Sequence, residues 1–513
     1  MILIFLSTLL FIVGGEGLPS NFEKRVRDAT QPLLERYAEK YNTSFQLGIA
    51  FDGGKHFEVV GGIDHHATKT PMKENTLIPM GSATKIYTAV AVMQLHEKGL
   101  LDIDRPVHEI VDPFLQRTNS TTLLELWGGD ETINRVTTRE LMGMRGCLSD
   151  YDDEKLQNFV LDPSNAGVTV NPYDYLHTWA QKSFLCEPGT GGSYSSIGFV
   201  ILGLVCASST NATQWSDFDQ KSIFPDSLRQ ELDELVFSLG GSCSETIQNV
   251  GHQYAATFTS NGYWNTIHWE DIYNFDCLNG WTMGNIAAAA SNTAAALYHL
   301  FSPNTKTPLV TQDSLKQMMD FKPLTVGWSV GLEYGLGMMR ANYFPRDGVP
   351  SNLTTFVGHA GQDYGSSAFL HEYNEALDVA ITLSSNTEYG MNCSLEAIMD
   401  NFQDSAYLGC IVWDSIVQIA TNGTVQHLTC AGERNRRHRH LAAQLPLHCE
   451  EPCTGESSNL DQKDCETWKE FHAAANGAYW ARFKDNFADP CGITDVECED
   501  GTIKITLCVC VCV

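Results

Sequence analysis

The chain has 513 residues, more than one typical domain, and 43% of them are apolar, enough for a large core. Acidic residues outnumber basic ones by 62 to 33, a formal charge of −29. A field of that sign repels phosphate backbones, which argues against nucleic-acid binding and leaves solubility as its plain reading.

Residues 1–17 carry an apolar run from Ile2 to Val13, broken only by Ser7-Thr8, and close on Gly15-Glu16-Gly17. That is the length of a signal peptide with small residues before its cut, and too short to cross a bilayer. No later segment is long and apolar enough to span a membrane, so a secreted or secretory-lumen protein is expected. Six sequons, at Asn42, Asn119, Asn211, Asn352, Asn392 and Asn422, and sixteen cysteines fit that compartment. Nine of the cysteines fall from Cys430 onward, which predicts a core-stabilised main domain and a disulfide-dense tail.

Residues 22–41 read as an amphipathic helix with Val26, Leu33, Leu34 and Tyr37 near one face. Phe45 to Phe51 and His56 to Val60 read as strands joined at Asp52-Gly53-Gly54. Gly81-Ser82-Ala83-Thr84-Lys85 then sits where a polar loop turns into an apolar helix. Ile86 to Met93 is apolar nearly all round, the mark of a buried helix, and Gly99 is placed to stop it. Ser82 and Lys85 are three residues apart and so share a helix face. A serine hydroxyl is a poor nucleophile until a base takes its proton, and a desolvated lysine is such a base. The plain alternatives are a helix N-cap for Ser82 and a surface position for Lys85.

From Asn211 to about Gly280 the pattern is irregular, with Cys243 and Cys277 as a candidate disulfide. Ser366 to Tyr373 and the alternating Leu377, Val379, Ile381 and Leu383 read as a strand pair turning at Asn374-Glu375, the second strand half-buried. Cys393 to about Val417 reads as a helix. Patterning alone yields an α+β class. There is no phosphate-cradling glycine loop after a strand and no metal-ligand spacing, so no cofactor and no metal are expected.

Two further segments follow Ser82 in order. They are Tyr194-Ser195-Ser196, after Pro188-Gly189-Thr190-Gly191-Gly192-Ser193, and His359-Ala360-Gly361, within Gly358 to Gln362. With Ser82-x-x-Lys85 they resemble the penicillin-recognising serine hydrolases: serine β-lactamases, DD-peptidases and their esterase relatives. The likeness extends to Thr76–Gly81, Leu95–Asp102, Val136–Met142 and Tyr334–Met338, and so covers about residues 20–405. It implies an antiparallel sheet flanked by helices, with an inserted helical subdomain. It implies Ser82 as nucleophile, Lys85 as base and Tyr194 as proton relay. The oxyanion hole would use the backbone N–H groups of Ser82 and Gln362, and Ser196, His359 and Gly361 would contact the substrate. Two departures stand out: Ser196 replaces the usual asparagine, and Met144-Arg145-Gly146-Cys147-Leu148 replaces the usual H-T-S-G-L turn.

The stretch Arg434 to His440 is a basic island in an acidic chain. It reads as a solvated linker, or as a processing site through Arg434-x-Arg436-Arg437. Nothing nearby completes a metal site with His438 and His440. Beyond it, Asn476 to Trp480, Asp489-Pro490-Cys491-Gly492 and Gly501 to Leu507 resemble the N-terminal cap of plant-type leucine-rich repeats. That resemblance implies a Cys491–Cys498 disulfide, with Ile493 standing where a tryptophan is usual.

The expected organisation is a signal peptide at 1–17, a hydrolase domain at 18–430, a linker at 431–460 and a cysteine-rich cap-like segment at 461–513. The expected activity is acyl-enzyme hydrolysis of a small ester or amide, with the histidine of His359-Ala360-Gly361 favouring peptidase or esterase relatives over true β-lactamases. The competing expectation is a catalytically weak extracellular binding protein that keeps the fold as a scaffold and recognises a protein partner through its tail.

Overall fold

An antiparallel sheet of ten strands draws the two ends of the main domain together. The computed structural model describes residues 18–428 and Cys430, less 119, 152, 259–266, 328, 343–347 and 388–394, with backbone alone for 256–258, 267–268 and 395–407. It also places the backbone of two short paired strands, Val496–Glu499 and Thr502–Ile505. From one edge the large sheet runs Thr70–Pro71, Lys55–His65, Ser44–Phe51, Val379–Ser385, Ser366–Asn374, Thr355–Gly358, Met339–Asn342, Glu333–Tyr334 and Lys322–Pro323. Gly361–Asp363 folds back onto Ser366–Asn374. The first and last long strands lie side by side, with Leu47 opposite Leu383 and Ile49 opposite Ile381. This is the α+β fold with helix-flanked antiparallel sheet that the motifs imply.

One face of the sheet is covered by the terminal helices Phe22–Tyr41 and Leu395–Ala420, whose core includes Val26, Leu34, Trp413 and Ile416. The other face packs on the helix Ala290–Phe301 and, through it, on the helical lobe. The strand expected to be half-buried is therefore corrected: Val379–Ser385 is buried at every position. Its alternation separates large apolar residues from small and hydroxylic ones, not inside from outside. Val379, Ile381 and Leu383 join the core of the terminal helices. On the other face Thr382 meets Thr293 of the opposing helix through a 3.0 Å hydroxyl pair. Each fully buried Ile or Leu contributes ~1.5–3 kcal/mol, so the strand anchors both layers.

The helix Thr84–Glu97 is buried continuously from Thr84 to Met93, as an all-round apolar pattern requires. It stops at Gly99, whose φ of +67° lets its N–H bond back to the His96 carbonyl at 2.9 Å. The equally apolar helix Ser196–Ser209 packs in the same core. No helix among the described residues is long and apolar enough to cross a membrane.

Cys243 and Cys277 are bonded, the pairing that the sequence nominated. Two bridges were not foreseen, Cys147–Cys186 and Cys410–Cys430. The second corrects the reading of the tail, because Cys430 closes onto the last helix of the main domain. Asn42, Asn211, Asn352 and Asn422 are exposed. Asn119, Asn392, the signal-peptide segment, the linker at 431–460 and Cys491 of the cap-like segment lie outside the described residues, and Cys498 is described only as strand backbone.

Candidate active site

Ser82 occupies a single turn, Gly81–Ala83, that runs directly into the buried helix Thr84–Glu97. The turn is pinned by the Thr84 hydroxyl, which donates to the Gly81 carbonyl at 2.8 Å and accepts from the Ile286 N–H at 3.0 Å. Ser82 does not cap the helix: the residue before it is Ala83, with no side-chain cap. Its Oγ lies 2.7 Å from Lys85 Nζ, the contact that three-residue spacing makes possible.

Lys85 is no surface lysine, being 0% exposed. Its second hydrogen bond goes to the Met283 carbonyl at 2.9 Å. The ammonium also sits over the rings of Tyr194 and Phe199, at 5.2 and 5.7 Å. Burial lowers its pKa to about 7, and the charge of Asp150 opposes the fall. A lysine in this state is neutral in a large share of molecules near neutrality and can accept a proton.

Tyr194 precedes the helix Ser196–Ser209 and hydrogen-bonds the side chains of Ser82 and Ser196, while burial keeps its phenol protonated. The Ser196 hydroxyl thus faces Tyr194, and the Met283 carbonyl supplies Lys85 with its second partner. Neither role is visible in the linear sequence.

Asp150 is the functional candidate that sequence reading missed. Its half-buried carboxylate accepts from the N–H groups of Ser196 at 2.9 Å, Ile197 at 3.2 Å and Tyr151 at 3.0 Å. It therefore seats the N-terminus of the helix that follows Tyr194, where a helix favours negative charge. Burial raises its pKa, and the amide donors and Lys85 oppose that. The unusual turn before it also gains a reason. Cys147 bonds Cys186, which ties the Met144–Leu148 turn to the loop leading into Tyr194. Met144 Sδ accepts from the Ser195 N–H at 3.2 Å.

Gly361 and Gln362 form the opposite wall. A β-carbon on Gly361 would fall 1.9 Å from the Met80 carbonyl oxygen and 3.0 Å from the Ser82 nitrogen. One on Gly81 would fall 1.9 Å from the Gln362 carbonyl oxygen. The strand Gly361–Asp363 and the serine turn thus touch backbone to backbone, which only glycine permits.

His359 is 0% exposed, as Lys85 is. Its Nδ1 lies 2.6 Å from its neighbour's carbonyl, Ala360 O, and its Nε2 lies 2.9 Å from the Tyr334 hydroxyl. Burial and the Lys85 charge push its pKa down to about 3. A neutral ring with the proton on Nδ1 satisfies both contacts, with Tyr334 donating to Nε2. Beside the expected contact with the polar end of a substrate, the ring has a supporting contact with Tyr334, whose ring stands edge-on to Tyr194.

A pH prediction follows from Lys85. A base with a pKa of about 7 gives a rate that climbs as pH rises through about 7. Asp150→Asn removes the charge that raises that pKa, so the midpoint of the rise moves to lower pH. Initial rates on a short-chain p-nitrophenyl ester from pH 5 to 9 measure both midpoints. An unmoved midpoint would mean that Asp150 only anchors the helix.

A hydroxyl, a buried low-pKa lysine and a buried phenol thus gather around Ser82, at the seam of a helical lobe and an antiparallel sheet. The beta-lactamase family pattern matches residues 34–399, and the chain belongs to that family. Penicillin-binding protein 4* of Bacillus subtilis (strain 168) is 25% identical over 198 residues, 39% of each chain. Penicillin-binding protein 4 of Amycolatopsis lactamdurans is 27% identical over 178 residues, 35% of this chain and 41% of its own. The matched stretches thus span about two fifths of these curated relatives. Among solved structures, the D-amino acid amidase of Ochrobactrum anthropi SV3 superposes with a TM-score of 0.56 at 17% identity, covering 77% of this chain and 99% of that one. A D-stereospecific amidohydrolase from Streptomyces sp. gives 0.54 at 17% identity, covering 74% and 97%. These two likenesses establish the fold.

Proposed function

We propose that this protein is a secreted serine hydrolase that forms an acyl-enzyme on a small ester or amide, with D-amino-acid amides and short esters as its leading substrate classes. The observation that carries the proposal is the 2.7 Å contact between Ser82 Oγ and a fully buried lysine whose pKa is lowered to about 7. Ser82 Oγ attacks the carbonyl carbon while its proton passes to neutral Lys85 Nζ. The oxyanion forms against the N–H groups of Ser82 and Gln362. Tyr194 gives its phenolic proton to the departing nitrogen or oxygen and is reprotonated from Lys85. Water then enters, loses a proton along the same path, and releases the acid. His359, through Tyr334, and Asp150, through the helix amides, hold the two walls in place. The oxidising bridges Cys147–Cys186, Cys243–Cys277 and Cys410–Cys430 support an extracellular location. The Cys410–Cys430 closure supports a hydrolase domain of 18–430 that ends there, and the cap-like segment at 461–513 would offer a surface to a protein partner.

The test is intact-mass spectrometry of the full chain after exposure to a p-nitrophenyl ester, D-phenylalanine amide and benzylpenicillin in turn. An acyl adduct mapping to the peptide with Ser82 supports the proposal. No adduct and no turnover with any probe would favour the binding-protein reading, which rests on the Ser196 and Met144–Leu148 departures.

Ser196 has its own prediction. Its hydroxyl bonds Tyr194, so Ser196→Ala removes one hydrogen bond worth ~0.5–1.5 kcal/mol and slows acylation about 2–10-fold. Ser196→Asn also lowers the rate, because the longer amide displaces Tyr194. A faster Ser196→Asn enzyme would show instead that Ser196 is a weakened form of the family's asparagine.

A further inference from the structure

Away from Ser82, at the end of the strand Lys55–His65, two imidazoles and a carboxylate from distant parts of the chain converge. One ligating atom from each of His65, His252 and Asp271 lies within 4.8 Å of those from the other two. The rings of His65 and His252 are parallel, with centroids 3.9 Å apart and an interplanar angle of 0°. On its other side His252 stacks on Tyr273 at 4.0 Å. Its Nδ1 lies 2.7 Å from Asp271 Oδ2. The Thr68 hydroxyl lies 2.8 Å from His65 Nδ1, which leaves Nε2 of that ring for an ion.

The surroundings favour a cation. Asp64 accepts from the His252 backbone N–H at 2.9 Å, so a second carboxylate stands beside the set. The neighbouring His66 has a buried Nε2 with no hydrogen-bond partner. The in-plane lone pairs of parallel rings do not meet, so the stack must open before both nitrogens reach one ion. His252 and Asp271 keep 17% and 33% of their side-chain surface exposed, so an ion can enter.

We propose that His65, His252 and Asp271 form a structural divalent-metal site that clips the strand pair Tyr254–Phe258 and Ile267–Asp271 to the edge of the main sheet. Two nitrogens and one carboxylate suit Zn²⁺ better than the oxygen-only preferences of Ca²⁺ or Mg²⁺. Four-coordinate Zn²⁺ holds its ligand atoms about 3.3 Å apart, so the site closes by rotating the His65 and His252 rings out of their stack and Asp271 off His252 Nδ1. The clip reaches toward the active site, because the Tyr254 N–H donates to the Gly365 carbonyl at 3.1 Å, shortly after Gln362. The site takes no part in the proton transfers at Ser82. Chain spacing gives no hint of it, since its ligands come from separate segments.

Equilibrium dialysis of the full-length chain against ZnCl₂, with metal counted by mass spectrometry, tests the proposal. The expected result is one tightly held Zn²⁺ per chain and a higher melting temperature with zinc. His65→Ala and His252→Ala should each weaken binding at least ~10-fold and lose the thermal shift. His65→Gln serves as a second variant that keeps a polar side chain near Thr68, and its metal-free melt shows whether the fold is intact. A paired His438→Ala and His440→Ala variant should keep the zinc. No bound zinc in the wild type would overturn the site, as would binding that survives His65→Ala, His65→Gln and His252→Ala or is lost with His438 and His440.

Discussion

Ser82→Ala is expected to abolish acyl-probe labelling and to lower hydrolysis by roughly 10⁴–10⁶-fold, the scale of losing a nucleophile while binding and oxyanion donors persist. Lys85→Met should lose nearly as much, and the double variant little more, because residues that act as one unit give non-additive losses. The two variants should separate in stability. Ser82 contributes no helix cap, so its removal costs about two hydrogen bonds, to Lys85 and Tyr194, or ~1–3 kcal/mol. Lys85 is a buried amine whose pKa is lowered to about 7 by desolvation. The unfolded chain binds that proton up to a pKa of ~10.4. The unfolded state is therefore the more protonated between about pH 7 and 10, and stability rises with pH across that window. Methionine fills a similar volume without a charge to desolvate, so Lys85→Met should melt at a higher temperature than wild type at pH 7. Intact-mass labelling and thermal melts measure both effects. A Lys85→Met protein that melts lower would mean that the Ser82 and Met283 contacts outweigh the desolvation.

Gly361→Ala is the second large effect. The new β-carbon would meet the Met80 carbonyl oxygen at 1.9 Å and the Ala83 nitrogen at 2.5 Å. Both are backbone atoms with no flexible end to swing aside. The strand Gly361–Asp363 must retreat from the serine turn, which parts the Ser82 and Gln362 amides. Losing one oxyanion donor costs about 10²–10³ in kcat. The forced shift costs ~1–3 kcal/mol of stability or more. The Ser82–Lys85 contact lies within one helix turn and survives, so slow labelling at Ser82 should persist while turnover collapses. Gly81→Ala should reproduce the effect from the other side, its β-carbon facing the Gln362 carbonyl oxygen. Wild-type kcat in a stable Gly361→Ala protein would remove Gln362 from the oxyanion hole.

What the linear sequence determined is local. The Ser82–Lys85 pairing needs only the helix repeat. The buried helix behind it needs only the apolar run Ile86–Met93, and its end needs only Gly99. The sheet partners Ser366–Asn374 and Val379–Ser385 follow from alternation and a turn. Ordered motifs added Tyr194 and the strand at Gly361 only through their resemblance to a known family, since chemistry itself fixes no order along the chain. What only the tertiary structure decided depends on groups with no periodic signature. The Met283 carbonyl completes the lysine's hydrogen bonds. Asp150 seats a helix through two of its backbone amides, those of Ser196 and Ile197. Cys147 finds Cys186, and Cys430 finds a buried helix and not the tail. His359 turns inward, where its two nitrogens are taken by Ala360 and Tyr334 and where burial and Lys85 lower its pKa. Local geometry is written in spacing along the chain, whereas desolvation and hydrogen-bond partnership depend on which distant segments close around a group.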